Sequence, residues 1–84
     1  MSIQKSSYPR IRLRLRDVLD EHRERTGERL TYEQLAERTG LSPSTLASLA
    51  SRGDYNATLS TVAVLCDALD CEPGDLLVLE RAPS

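Results

Sequence analysis

Residues 30–50, LTYEQLAERTGLSPSTLASLA, contain two helix-start signals and one helix-stop signal within a single stretch of chain. Thr31 is placed to cap a helix, Gln34 three residues later completes a capping box, and Leu30 with Leu35 forms a hydrophobic staple. Gly40 ends that helix, because glycine takes the left-handed backbone conformation of a helix-terminating turn without steric cost. The pattern then repeats. Ser42 is the next cap, Pro43 occupies the first helical position, where its missing N–H costs nothing, and Leu41 staples against Leu46. Two short helices, about 31–38 and 43–51, are thus joined by a tight glycine-containing turn.

The flanking sequence extends the helical reading. Leu15, Val18, Leu19 and His22 recur at i, i+3, i+4 and i+7, which predicts a helix from about Leu15 to Arg25 that stops near Gly27. His22 then falls at a core-facing or boundary position, packed rather than acting as a ligand or base. Leu59, Val62, Ala63, Leu65, Cys66 and Leu69 form one apolar stripe on a fourth helix capped by Thr58. CEPGDLL, residues 71–77, gives a short fifth helical turn begun by Pro73. With no Phe or Trp, and apolar residues at 39% of an 84-residue chain, the core is built from Leu, Val, Ala and Ile. That composition suits one domain of packed helices. Its expected bounds are residues 9–81, with polar tails at 1–8 and 82–84.

RIRLRLR, residues 10–16, breaks the helical pattern. Aliphatic and arginine residues alternate with the period of two that marks a half-buried strand, which disfavours both a solvated basic tail and a turn of basic helix. LVLER, residues 77–81, is a second β-capable segment at the other end of the chain. A lone terminal strand is unstable, so residues 10–14 and 77–81 are expected to pair as a ribbon, with Ile11 and Leu13 facing the helices.

Charge is distributed unevenly along a chain whose net charge is −2. Residues 1–16 hold Lys5, Arg10, Arg12, Arg14 and Arg16 and no acid, whereas from residue 31 onward eight acids face three arginines. Little in the sequence points to catalysis. There is one histidine, no glycine-rich phosphate loop and no convergent acid–base set. Cys66 and Cys71 form no CxxC pair and read as core thiols, so neither a metal nor a cofactor is expected. No apolar run approaches the ~20 residues of a membrane span, and the first ten residues lack a secretory h-region, so a cytoplasmic protein is expected.

The segment 30–50 resembles the helix-turn-helix of the lambda-repressor-like, or Xre-type, DNA-binding family, and the run from Leu15 to Leu77 is similar to its compact five-helix bundle. LCDALDCEPGDLL, residues 65–77, is similar to the end of a subgroup of small stand-alone bacterial members. In that pattern Leu35 and Ala36 match the Leu-Ala pair that lets the two helices approach, and Leu46 and Leu49 anchor the second helix to the core. The resemblance implies an all-α fold, here with the added ribbon, and double-stranded DNA as the partner. It also implies that the helix at 43–51 enters the major groove, presenting Ser42, Pro43, Ser44, Thr45, Ala47 and Ser48 to base edges. Thr31 and Tyr32 would meet phosphates through helix-start amides, and Arg52, Tyr55 and Asn56 would face the backbone.

The set departs from the common pattern in lacking long, forked side chains on the reading helix, where bidentate contacts are worth ~1–3 kcal/mol each. Tyr32 also stands where many members have Gln. Base readout is therefore expected to be thin, resting on hydroxyls, water, methyl contacts and DNA shape. Residues 31–61 have a net charge of −1, so the phosphate-neutralising charge is expected from the amino-terminal segment, through Arg10, Arg12 and Arg14. The expected function is a DNA-binding transcriptional regulator acting as a homodimer, through Leu76, Leu77, Val78 and Leu79, with no small-molecule effector. The alternative is an antitoxin-like interaction module that keeps the fold as a scaffold.

Overall fold

A computed structural model describes residues 9–52 and 57–81. In chain order the elements are β1 (Arg10–Leu13), α1 (Leu15–Thr26), α2 (Tyr32–Thr39), α3 (Pro43–Ser51), α4 (Leu59–Leu69), α5 (Pro73–Leu76) and β2 (Leu77–Glu80). The helix boundaries follow from local chemistry. The Thr31 hydroxyl accepts from the Gln34 amide at 3.1 Å, and the Gln34 side chain accepts from the Thr31 amide at 3.0 Å, completing the capping box. Ser42 and Thr58 cap α3 and α4 in the same way, each accepting the amide three residues on. Gly27 and Gly40 end α1 and α2 at φ 79° and 81°, values that suit glycine. Asp70 ends α4 in the same left-handed region, where aspartate is among the better-tolerated side chains.

Leu35, Leu46, Leu65, Leu69 and Leu76 expose none of their surface, and Leu15 and Leu49 almost none, so the core is a leucine cluster drawing on all five helices. His22 is buried among them, as its position in the periodic pattern predicts. Cys66 and Cys71 are free, half-buried thiols at the end of α4, packed against this cluster. Burial, and then the neighbouring Cys66, push the Cys71 thiol up to about 11, so it stays protonated and unreactive near neutral pH.

The two strands pair antiparallel, in the register Arg10↔Glu80, Ile11↔Leu79, Arg12↔Val78 and Leu13↔Leu77. The Arg14 amide donates to the Leu76 carbonyl at 2.8 Å and continues the ladder to the start of α1. Period-two geometry puts Ile11, Leu13, Leu77 and Leu79 on one face.

Two expectations about side-chain burial require correction. Leu13 is buried, but Ile11 is 55% and Leu79 47% exposed, because the ribbon runs on past the end of the helices. Only its inner half has a core to pack against. Leu59 is 84% exposed and Ala63 is also exposed, so the buried stripe of α4 narrows to Val62, Leu65 and Leu69.

Because the space around Gly40 is open, a substitution there tests backbone strain alone. Gly40→Ala is expected to lower unfolding free energy by about 1 kcal/mol and Thr31→Ala by about 0.5–2 kcal/mol, whereas truncating Leu35 to Ala costs about 2–5 kcal/mol. Urea denaturation of the three variants checks the order.

Candidate nucleic-acid interface

α2 and α3, joined through Gly40, Leu41 and Ser42, bring the expected contact residues into two groups. Thr31 and Tyr32 lie at the start of α2, where the first helical amides have no intrahelical acceptor. Ser42, Pro43, Ser44, Thr45, Ala47 and Ser48 lie on α3, whose inward Leu46 and Leu49 fix which side faces out. Ser42, Pro43 and Ser44 are exposed; Thr45, Ala47 and Ser48 are half-buried. Arg52 follows α3 directly, while Tyr55 and Asn56 lie outside the described residues.

Hydrogen bonds inside α3 reduce its reading chemistry further. The Ser42 hydroxyl accepts from the Thr45 amide at 3.0 Å and donates to Thr45 Oγ1 at 2.9 Å, so its proton is used in capping and one lone pair is left to accept. The Thr45 hydroxyl keeps its own proton to donate. The Ser51 hydroxyl turns back to the Ala47 carbonyl at 2.8 Å. Ser44 and Ser48, one turn apart on the outward side, are the α3 hydroxyls that make no hydrogen bond to a described residue. α3 is a small, smooth, uncharged surface.

Arg12 of the ribbon and Arg14 just after it are held by acids. Arg12 Nε donates to Glu80 Oε2 at 2.7 Å, on the diagonal of the ribbon. Arg14 donates to the Asp75 carbonyl at 2.7 Å and to Glu21 Oε2 at 2.8 Å, with Asp17 at 3.7 Å. Arg14 therefore ties the start of α1 to the end of α5. Both arginines border a hollow shared with Ala50 and Ser51, at the carboxyl-terminal end of α3. That is about 12 Å along the helix from Pro43. Arg10 also has an interaction partner.

Three other arginines meet at a second cleft, with Arg16 bordering that hollow as well. Arg16 and Arg23 of α1 and Arg29 of the α1–α2 connection line one open cleft of about 390 Å³ together with Thr31 and Tyr32. None of the three side chains makes an ion pair or hydrogen bond among the described residues. Asp20 is the acid on that wall, leaving three positive charges against one negative. Arg16 was legible as part of the basic segment and Arg23 as its i+7 neighbour on one helix face. Only the fold adds Arg29 and the start of α2.

The connection carrying Arg29 is fixed by a polar cluster. Glu28 Oε2 accepts from Arg38 Nη2 at 2.7 Å, and its Oε1 lies 3.2 Å from Nε2 of the buried His22. Arg25 reaches the Leu69 carbonyl at 3.2 Å, joining α1 to α4. Glu28 thus bridges the end of α1 to α2. The hydrogen bond with His22, and then that with Arg38, hold the Glu28 carboxyl below its ordinary 4.5.

Comparison with known proteins agrees with this geometry. Residues 14–82 match the family of the Cro/C1-type HTH DNA-binding domain. The chain is also similar to an uncharacterized HTH-type transcriptional regulator, YozG, of Bacillus subtilis. The two are 35% identical over 49 residues, which covers 58% of each chain. The chain thus spans somewhat over half the length of that relative. No solved structure matches it.

A carboxyl whose folded-state pKa is depressed stabilises the fold above its unfolded value and loses that contribution as pH falls through the folded value. Stability linked to Glu28 is therefore complete above about pH 4.5 and drains away below it. Glu28→Gln is expected to flatten the acid limb of the stability–pH profile relative to the parent. Parallel limbs in the two proteins, measured by thermal melts across pH, would show that the bridge contributes nothing.

Proposed function

This chain belongs to the Cro/C1-type helix-turn-helix DNA-binding family, and we propose that it is a sequence-preferring transcriptional regulator that binds double-stranded DNA in the cytoplasm as a homodimer. The observation that carries this reading is the α2–α3 pair packed through buried leucines, with Ser44, Ala47 and Ser48 turned outward from Leu46 and Leu49. Such a helix fits the major groove closely because nothing on it is bulky. Without long donors, its preference rests on hydroxyl and water-mediated contacts, thymine methyls against Ala47 or Pro43, and the deformability of the site. Thr31 and Tyr32 would meet the backbone at the start of α2. Arg52, Tyr55 and Asn56 are proposed to face it beyond α3.

Dimerisation is supported by the ribbon. Leu76 belongs to the core, and Leu77 and Val78 are half-buried, so they offer little to a partner. Ile11 and Leu79 are directly opposite each other and both are exposed, giving the tip of the ribbon an apolar cross-strand pair. A second copy joined there would hold two α3 helices for successive major-groove faces, about 34–36 Å apart. The same tip favours the second reading, an antitoxin-like module that docks another protein instead of DNA.

Three experiments test these readings. Random-sequence DNA selection is expected to enrich a site with two-fold symmetry, and recovery of unselected sequence would contradict the regulator reading. Ser44 sits in the first turn of α3, where a carboxylate complements the helix dipole yet faces DNA phosphates. Ser44→Asp is therefore expected to leave the melting temperature unchanged or raised while weakening binding tenfold or more, by about 1.4 kcal/mol. Leu79→Glu is expected to convert a dimer to a monomer in sedimentation without loss of helicity. A parent that sediments as a monomer at high micromolar concentration would remove the dimer.

A further inference from the structure

We propose that the cleft lined by Arg16, Arg23 and Arg29 is the phosphate-binding site of this protein and supplies most of its electrostatic grip on the DNA backbone. The proposal rests on the DNA-binding reading, and it moves the charge from the ribbon, where the sequence alone points, to α1. Three observations carry it.

The first is availability. An arginine already paired with a carboxylate cannot neutralise a phosphate without leaving that carboxylate exposed to the same polyanion. If Arg12 or Arg14 turned to DNA, Glu80, or Glu21 and Asp17, would be left unpaired nearby. Arg16, Arg23 and Arg29 have no such partner among the described residues. Their full charge faces solvent.

The second is convergence. Arg16 and Arg23 are two turns apart on one face of α1, about 10 Å along the axis. Arg29 comes from the following connection, which the Glu28 bridge to His22 and Arg38 holds in place. Guanidinium groups bind phosphate oxygens through paired donors, so three of them along one wall form a rail for consecutive backbone groups. Asp20 is the opposing carboxylate in the cleft, and it leaves the wall net positive.

The third is placement. The same cleft contains Thr31 and Tyr32, at the start of the first helix of the α2–α3 pair. A strand of DNA held along the arginines would continue toward the helix pair that reads it. This answers how a chain with a net charge of −2 and an uncharged α3 attracts a polyanion.

The test is the salt dependence of binding to a selected DNA fragment. Each phosphate contact contributes about 0.9 to the slope of log affinity against log salt concentration. In the full chain, R16Q/R23Q/R29Q is expected to lower the magnitude of that slope by about 2.7. R12Q/R14Q should leave it within experimental error, and thermal melts establish that both variants fold. A triple variant with the parental slope, or a slope lost in R12Q/R14Q instead, would overturn the proposal while leaving DNA binding established.

If the parent binds no DNA fragment, titration with inorganic pyrophosphate, followed by the backbone amide resonances of Thr31 and Tyr32, decides separately. Shifts in the parent that are absent from the triple variant would keep the phosphate site and remove DNA as its ligand. No shifts in the parent would remove both.

Discussion

Leu35, Leu46 and Leu49 sit in one cluster that water does not reach, and every functional reading of this protein depends on them. They lock α2 to α3 across a turn whose glycine is in the left-handed conformation. With the inward side of α3 fixed, its outward side is fixed as well. Close-packed leucines allow little rotation about the helix axis, since a methylene-sized misfit already costs on the order of 1 kcal/mol. The surface offered to a ligand is thus set by the core and not by any interaction within that surface.

A division of labour among the basic residues follows. Arg14 joins α1 to α5, Arg12 cross-links the ribbon, Arg25 joins α1 to α4, and Arg38 joins α2 to Glu28. These are structural uses of charge, individually weak where exposed, at about 0–1 kcal/mol each. The ribbon that begins as the most basic segment of the chain ends as a closed, largely compensated surface. Arg16, Arg23 and Arg29 stand outside that network, so net charge and even local sequence charge are poor guides to where an anion would bind.

The parts of this structure that are legible in the sequence are those set by local chemistry. Thr31 with Gln34, Gly40, and Ser42 with Pro43 determine where α2 and α3 begin and end within a few residues of themselves. Strand pairing was also legible, because two isolated β-capable ends have few other partners. Ile11 and Leu59 show where this reasoning stops. Periodicity says which residues share a face, but not how far the opposing surface extends, and in both cases the surface ends first. The pairing of the arginines was hidden for a similar reason. Glu80 and Asp75 reach Arg12 and Arg14 across 68 and 61 residues, a distance that no spacing rule covers.

If Arg12 and Arg14 are structural while Arg16, Arg23 and Arg29 bind phosphate, the two sets differ in mobility and in their response to DNA. Nitrogen-15 NMR of the arginine Nε–Hε groups, with and without DNA, reads that difference residue by residue. In the free protein Arg12 is expected to be ordered and slow to exchange, and Arg16, Arg23 and Arg29 mobile and fast. On adding DNA the latter three should shift and become ordered while Arg12 stays unchanged. The opposite pattern, with Arg12 shifting and the cleft arginines remaining mobile in the complex, would place the phosphate grip on the ribbon instead.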